Sequence, residues 1–396
     1  MVGIRPGALY YDDIYPRDMF VKAISIAREC ARSRKSGLVG QMCFETENWP
    51  HVSSLKTPES QMRECALALF NGVDSLALYW FSFATFESLE NYQYYFDTLA
   101  EYRPYFETVQ RACADTQLTG IAPYYGENSM LFPDYQLAYH QLEALLFGAY
   151  PFTVAEADPR IYALNGRLAG LLTENDVKNL MKKNVLLDIE AYRCLAKILP
   201  DHSVFAKIRL ADDLPQWQKC LPGTEVFDGE HFRFTPRVPV LPQSPDVRAF
   251  STILEMPDAV GTCVIPTGEG GNLLLTQRFD KHWTTLIRKA VADMLDLVTD
   301  GKFPARMLTG GFSVSLQTRN NKAGKTTALY LQNVSVGRTM PLDVSIRCPE
   351  KGDYTLYRGC EAPQKLCCRY VGSDEMIVTV PPLQAWQSAL IAVSVN

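Results

Sequence analysis

The chain opens on a period close to that of a helix: Phe20, Ile24, Ala27 and Ala31 recur behind Asp18, which predicts a helix over 17–34. A continuous apolar run, Gly37 to Phe44, then reads as a strand buried on both faces. Thr57-Pro58-Glu59 starts a second helix, with Thr57 as N-cap and proline at the first helical position. Met62, Cys65, Ala66 and Leu69 mark its apolar face, and Gly72 marks its end. Asp74 to Phe81 is another continuous apolar strand. Helix, strand, helix, strand with two-sided apolar strands is the pattern of a parallel α/β sheet.

The alternation continues. Helices are predicted at 104–115, 134–147, 189–198 and 282–299, with a further one capped by Thr173 and Asp176. Strands are predicted at 118–123, 152–154, 168–172, 185–188, 250–256, 261–266 and 272–276. This reads as a doubly wound domain. Residues 221–247 are proline-rich and irregular, and fit a surface excursion. From Ser313 the period falls to two. Short alternating strands at 313–317, 326–332, 342–347, 354–357, 376–380 and 388–395 predict an antiparallel β-sandwich. The expected division is therefore 1–103, 104–306 and 307–396.

Composition narrows the partners. A length of 396 residues exceeds one ordinary core, and 47% apolar with 21% charged residues describes a globular chain. The net charge of −5 comes without a basic stripe, which argues against nucleic acid. No apolar run reaches the ~20 residues of a membrane span, and Met1 to Gly7 is no signal peptide, so a cytoplasmic protein with no membrane partner is expected. The eleven cysteines lack regular spacing, which points to reduced thiols. His51, His140, His202, His231 and His282 are scattered, so neither a metal nor another cofactor is expected.

The chemistry concentrates in Cys43-Phe44-Glu45-Thr46-Glu47-Asn48-Trp49-Pro50-His51. Two carboxylates, an amide, an indole and an imidazole close a buried strand, and Pro50 then takes the chain out of regular pairing. Sugar cleavage needs such a set: a charge to meet an oxocarbenium-like centre and a flat apolar face for the ring.

Glu47-Asn48-Trp49-Pro50 resembles the Glu-x-x-Pro at the end of the seventh barrel strand in family 42-like glycoside hydrolases, which include bacterial β-galactosidases. Ala66 to Asp74 resembles that family's Ala-x-Ala-x-Gly-Ala-Asp before the eighth strand, and Tyr79-Trp80-Phe81 resembles the aromatic end of that strand. The resemblance implies the C-terminal part of a (β/α)8 barrel, then a flavodoxin-like or glutamine-amidotransferase-like domain that builds a trimer, then an antiparallel β-sandwich. It implies a retaining, β-galactosidase-like enzyme with a carbohydrate substrate and Glu47 as nucleophile. Glu45, two residues earlier on the same side of a strand, is the alternative. Arg5, Tyr10, Asn48, Trp49, His51 and Trp80 are the residues placed to contact the sugar, and for each a packing role stands beside contact. The family's acid/base glutamate follows an asparagine at strand four, and nothing upstream of Glu45 supplies that pair. An incomplete barrel is therefore expected. A non-catalytic carbohydrate-binding or assembly protein with the same order is the competing reading. An amidotransferase is disfavoured because Leu187-Asp188-Ile189-Glu190 carries Asp188 where a cysteine nucleophile would stand.

Overall fold

The computed structural model describes residues 2–4, 16–37, 42–47, 57–79, 89–126, 128, 150–154, 157, 159–211, 217–220, 231–233, 238–253, 256–277, 279, 285–309 and 314–393. They gather into two compact units, one from 1–120, 149–158 and 304–396, the other from 121–148 and 159–303.

The first unit begins with β1 (Val2–Ile4), α1 (Pro16–Ser36), β2 (Met42–Glu47), α2 (Pro58–Phe70) and β3 (Ser75–Tyr79). The strands form a parallel sheet in the order β1-β2-β3, with β2 in the middle. The strand expected over 37–44 starts later, at Met42, and carries Glu45 and Glu47 inside the ladder. The Thr57 side chain accepts from the Ser60 amide at 3.2 Å, and Pro58 occupies the first turn, where its missing N–H is no loss. The sequence marks one apolar face on α2, yet Gln61, Met62, Glu64 and Leu67 are buried as well. A second layer covers the opposite face, so only Glu59, Ser60 and Arg63 of the helix stay partly exposed.

After β3, α3 (Leu89–Cys113) runs past the expected helix start and encloses Pro104. An internal proline costs a helix roughly 3 kcal/mol, and burial of Tyr105, Phe106 and Val109 offsets that loss. β4 (Thr116–Thr119) follows. The single apolar run expected over 118–123 is split at Gly120, whose φ of +141° suits glycine. A Cβ at this position would stand 2.1 Å from the Pro151 carbonyl oxygen. β4 joins one sheet and the next strand another.

The second unit holds β5 (Ile121–Pro123), β6 (Ile161–Leu164), α4 (Gly166–Ala169), α5 (Glu174–Leu180), β7 (Asn184–Leu187), α6 (Ile189–Ile198), β8 (Ile208–Leu210), β9 (Trp217–Cys220), β10 (His231–Arg233), β11 (Val240–Pro242), β12 (Arg248–Ile253), β13 (Met256–Pro266), β14 (Asn272–Leu275) and α7 (Thr285–Val298). β5, β6, β7 and β14 are parallel and adjacent in that order, and β13, β12, β9 and β10 extend the sheet antiparallel. No reversal of strand order occurs among the described parallel strands, so they contain none of the switch-point crevice at which doubly wound sheets bind ligands. The strand expected at 168–172 is a correction: the strand is 161–164, and Asn165 caps a single helical turn by accepting from the Leu168 amide at 2.9 Å. Residues 152–154 form no strand, 221–247 include β10 and β11, and the helix expected over 134–147 lies outside the described residues.

The glycine-rich run after β13 is a structural turn. Gly268 and Gly270 take φ of +85° and +94°, and a Cβ on Gly271 would stand 2.3 Å from the Lys183 carbonyl oxygen. The Thr267 hydroxyl accepts from the Glu269 and Gly271 amides and donates to the Met181 carbonyl at 2.6 Å.

The first unit closes with β15 (Ala305–Thr309), β16 (Val314–Asn321), β17 (Thr326–Asn333), β18 (Leu342–Arg347), β19 (Tyr354–Tyr357), β20 (Gln364–Lys365), β21 (Cys368–Val371), β22 (Glu375–Val380) and β23 (Ser388–Val393). They form two antiparallel sheets, β15-β18-β22-β21 and β20-β19-β23-β17-β16-β4. Leu316, Leu331, Val344, Leu356, Val378 and Ile391 fill the core of this sandwich. α2 docks on it: Phe70 stacks on Tyr330 at 5.1 Å, and the Asn71 and Gln317 side-chain amides exchange hydrogen bonds of 2.8 and 3.2 Å.

Candidate functional site

The candidate site is the C-terminal end of β2. A parallel ladder brings the last residues of neighbouring strands to one edge, where the following loops can surround a ligand. Glu45 lies opposite Ala77 and Glu47 opposite Tyr79, so Glu47 ends the middle strand beside the last residue of β3. On the other side, β1 reaches the level of Phe44, opposite Ile4. The backbone thus puts both carboxylate-bearing positions on the last three residues of one strand. Of the predicted sugar contacts, Arg5, Tyr10, Asn48, Trp49, His51 and Trp80 lie outside the described residues.

Other candidate chemistry resolves into structure. Asp188, at the elbow between β7 and α6, has an ordinary φ of −88° and accepts from the Ala191 amide at 2.7 Å. It is a helix cap and not a strained nucleophile elbow. Cys194, farther along α6, has its thiol 3.8 Å from the Gly166 carbonyl oxygen. Burial pushes that thiol up, against a lowering pull from Lys197, the opposite of what a nucleophile needs. Burial also pushes Cys30 and Cys263 up to about 12. Cys30, Cys113, Cys194, Cys263, Cys348, Cys360, Cys367 and Cys368 are free thiols. No group of three or more His, Cys, Asp or Glu could hold a metal ion among the described residues. No helix among them is long and apolar enough to cross a membrane.

One concave surface was not legible beforehand. It is lined by Glu59, Arg63, Tyr102, Arg358, Glu361 and Gln387, which come from four separate stretches with no shared local spacing. A faint signal exists in Tyr94 and Tyr102, eight residues apart and so on one face of a helix.

No protein-family model matches the chain, and no curated protein sequence does. Solved structures do. An α-L-fucosidase, isoenzyme 2, from Paenibacillus thiaminolyticus shares the fold with a TM-score of 0.55 at 12% identity, over 97% of this chain and 63% of its own. A β-galactosidase from Bacillus circulans sp. alkalophilus aligns at 11% identity and TM-score 0.49 over 93% of this chain and 57% of its own. A β-galactosidase from Rahnella sp. R3 aligns at 11% identity and TM-score 0.49 over 98% and 69%. The chain shares the fold of the Paenibacillus fucosidase, with mixed α/β content and several sheets. It spans 63% of the length of the fucosidase.

Proposed function

We propose that the chain is part of a retaining glycoside hydrolase acting on β-linked galactosides, with Glu47 as nucleophile. The observation that carries this reading is Glu47 as the last residue of the middle strand of a parallel sheet, in a chain whose fold is shared with glycoside hydrolases. In this reading β1, β2 and β3 are the sixth, seventh and eighth strands of a barrel, and Arg5, Tyr10, Asn48, Trp49, His51 and Trp80 surround the sugar. The acid/base carboxyl then comes from barrel strands outside residues 1–396, about 5–5.5 Å from the nucleophile.

That split of roles sets a leaving-group dependence. Dinitrophenolate departs with little protonation, whereas a sugar alkoxide without its acid loses a factor of about 10²–10⁴. Residues 1–396 are expected to release dinitrophenolate from its β-galactoside slowly and to leave lactose almost untouched. A protein that also carries the upstream strands cleaves both with retention. Robust lactose hydrolysis by residues 1–396 would place the second carboxyl within this sequence and make Glu45 the suspect.

Residues 104–306 carry no nucleophile at the Asp188 elbow and are assigned to assembly, as an amidotransferase-like domain between a barrel portion at 1–103 and a β domain at 307–396. A trimer is the expected state. Sedimentation equilibrium at micromolar concentration checks it, and a clean monomer would contradict the assignment.

A further inference from the structure

The concave surface on the first unit encloses about 470 Å³, in the range of small-ligand sites. One wall is the first two turns of α2 with Tyr102 of α3, and the other is two sandwich loops, 358–361 and 384–387, with Ser388 at the start of β23. A helix that links two parallel strands runs back against them, so its first turn stands at the sheet end where the strands finish. The cleft therefore lies on the same end of the sheet as Glu47.

Each wall is a held network. Tyr94, beside the cleft and not in its lining, donates its hydroxyl to the lining residue Glu59 at 2.6 Å, and the residue is 54% exposed. Arg63 donates Nε to the Glu59 carbonyl at 3.1 Å and Nη1 to the Trp386 carbonyl at 2.9 Å. Trp386 takes a φ of +60°, which a bulky L-residue rarely adopts and which the surrounding contacts must hold. Gly359, at φ +52°, lies so close to Tyr102 that a Cβ would meet the ring at 2.9 Å. On the loop side, Arg358 pairs with Glu361 at 2.8 Å, and Gln387 donates to the same carboxylate at 2.6 Å.

The walls leave specific chemistry unused. Among the described residues, Nη2 of Arg63 and Nε and Nη1 of Arg358 have no hydrogen-bond partner. Two guanidiniums face two carboxylates, so the lining carries no net charge and gives no pull toward an ion. Planar guanidinium, carboxylate and amide edges offer paired donors and acceptors at fixed spacing, which vicinal hydroxyls match. Tyr102 in the lining and Tyr94 beside it add apolar surfaces that end in a polar tip.

From this set we propose that the cleft is a carbohydrate-binding site for a neutral oligosaccharide, distinct from the end of β2. It holds a saccharide segment by hydrogen bonding to Arg63 and Arg358, with the part that emerges beside Glu59 stacking on Tyr94 next to the cleft.

The test is calorimetric titration of residues 1–396 with β-1,4-galactotetraose, in a Glu47→Gln background so that no hydrolysis interferes. Binding is expected in that background and in the parent. Tyr94→Ala and Arg358→Gln should each weaken it about tenfold at unchanged circular dichroism and melting temperature, while Tyr94→Phe, which keeps the ring, should retain most of it. Absence of binding by the parent, parental affinity retained in both Tyr94→Ala and Arg358→Gln, or tighter binding of tetragalacturonate would overturn the proposal. Hydrolysis of aryl galactosides is read separately, so failure of the Glu47 assignment leaves this result interpretable.

Discussion

Glu47→Ala is expected to lower release of dinitrophenolate from its β-galactoside by a factor on the order of 10⁴–10⁶, the range seen when a covalent nucleophile is removed. A retaining enzyme splits one displacement into two, and the first step forms a bond from the carboxylate to the anomeric carbon. An activated leaving group relieves the need for an acid but not for the nucleophile. Glu45→Ala, by contrast, should leave this activity measurable, because the alternative carboxylate lies two residues back along β2, opposite Ala77. Azide supplies a small nucleophile to the space left by Glu47→Ala. Recovery of turnover with an inverted glycosyl azide as product is the expected second readout. Equal loss in both variants would remove the distinction between the two carboxylates.

Arg319→Met is expected to destabilise the first unit by about 3 kcal/mol, read as a lowered urea midpoint at unchanged slope. Arg319 is 3% exposed. Its Nη1 donates to the Phe70 carbonyl at 2.6 Å, its Nη2 to the Thr116 carbonyl at 2.9 Å and its Nε to the Thr116 hydroxyl at 2.8 Å. The guanidinium also lies 5.6 Å from the Phe70 ring centroid. Phe70 is the last residue of α2, so the charge is met by the negative end of a helix. Methionine matches the stem but leaves three acceptors unmet in a buried junction. Lysine keeps the charge without the planar fork and should also fall well short of the parent. A change below about 1 kcal/mol in Arg319→Met would mean that the junction is held by the Phe70–Tyr330 stack and the Asn71–Gln317 pair instead.

Much of the fold follows from local signals. The N-cap Thr57 and Pro58 fix the start of α2, and the Thr173–Asp176 capping box is present as the spacing predicts. Period-two segments locate β18 and β19 to the residue, because a sandwich strand shows one face to the core and one to solvent. Local signals fail where a distant partner decides. Gly120 divides one apolar run between two sheets, and nothing within six residues of it reveals which partner each half finds. Pro104 reads as a helix start, yet tertiary burial carries α3 through it. Gln317 and Asn71 look like polar interruptions of apolar runs until their mutual hydrogen bonds are seen across 246 residues. At the candidate site, the strand end is legible because an apolar run gives way to a polar cluster, although β2 continues through Glu45 and Glu47 where the apolar run had ended at Phe44. The cleft lined by Arg63 and Arg358 is not, since its walls meet only after α2 docks on the sandwich.

The assignment of Glu47 is tested most directly by trapping the intermediate. A fluorine at C2 of 2,4-dinitrophenyl 2-deoxy-2-fluoro-β-galactoside disfavours the oxocarbenium-like transition state, while the activated leaving group still lets the first step proceed, so the glycosyl-enzyme accumulates. After incubation and proteolysis, the mass of one fluorogalactosyl group is expected on the peptide that contains β2, with fragmentation placing it on Glu47. A label on Glu45 or on a residue outside β2, or dinitrophenolate release with inversion and no labelled peptide, would contradict the account.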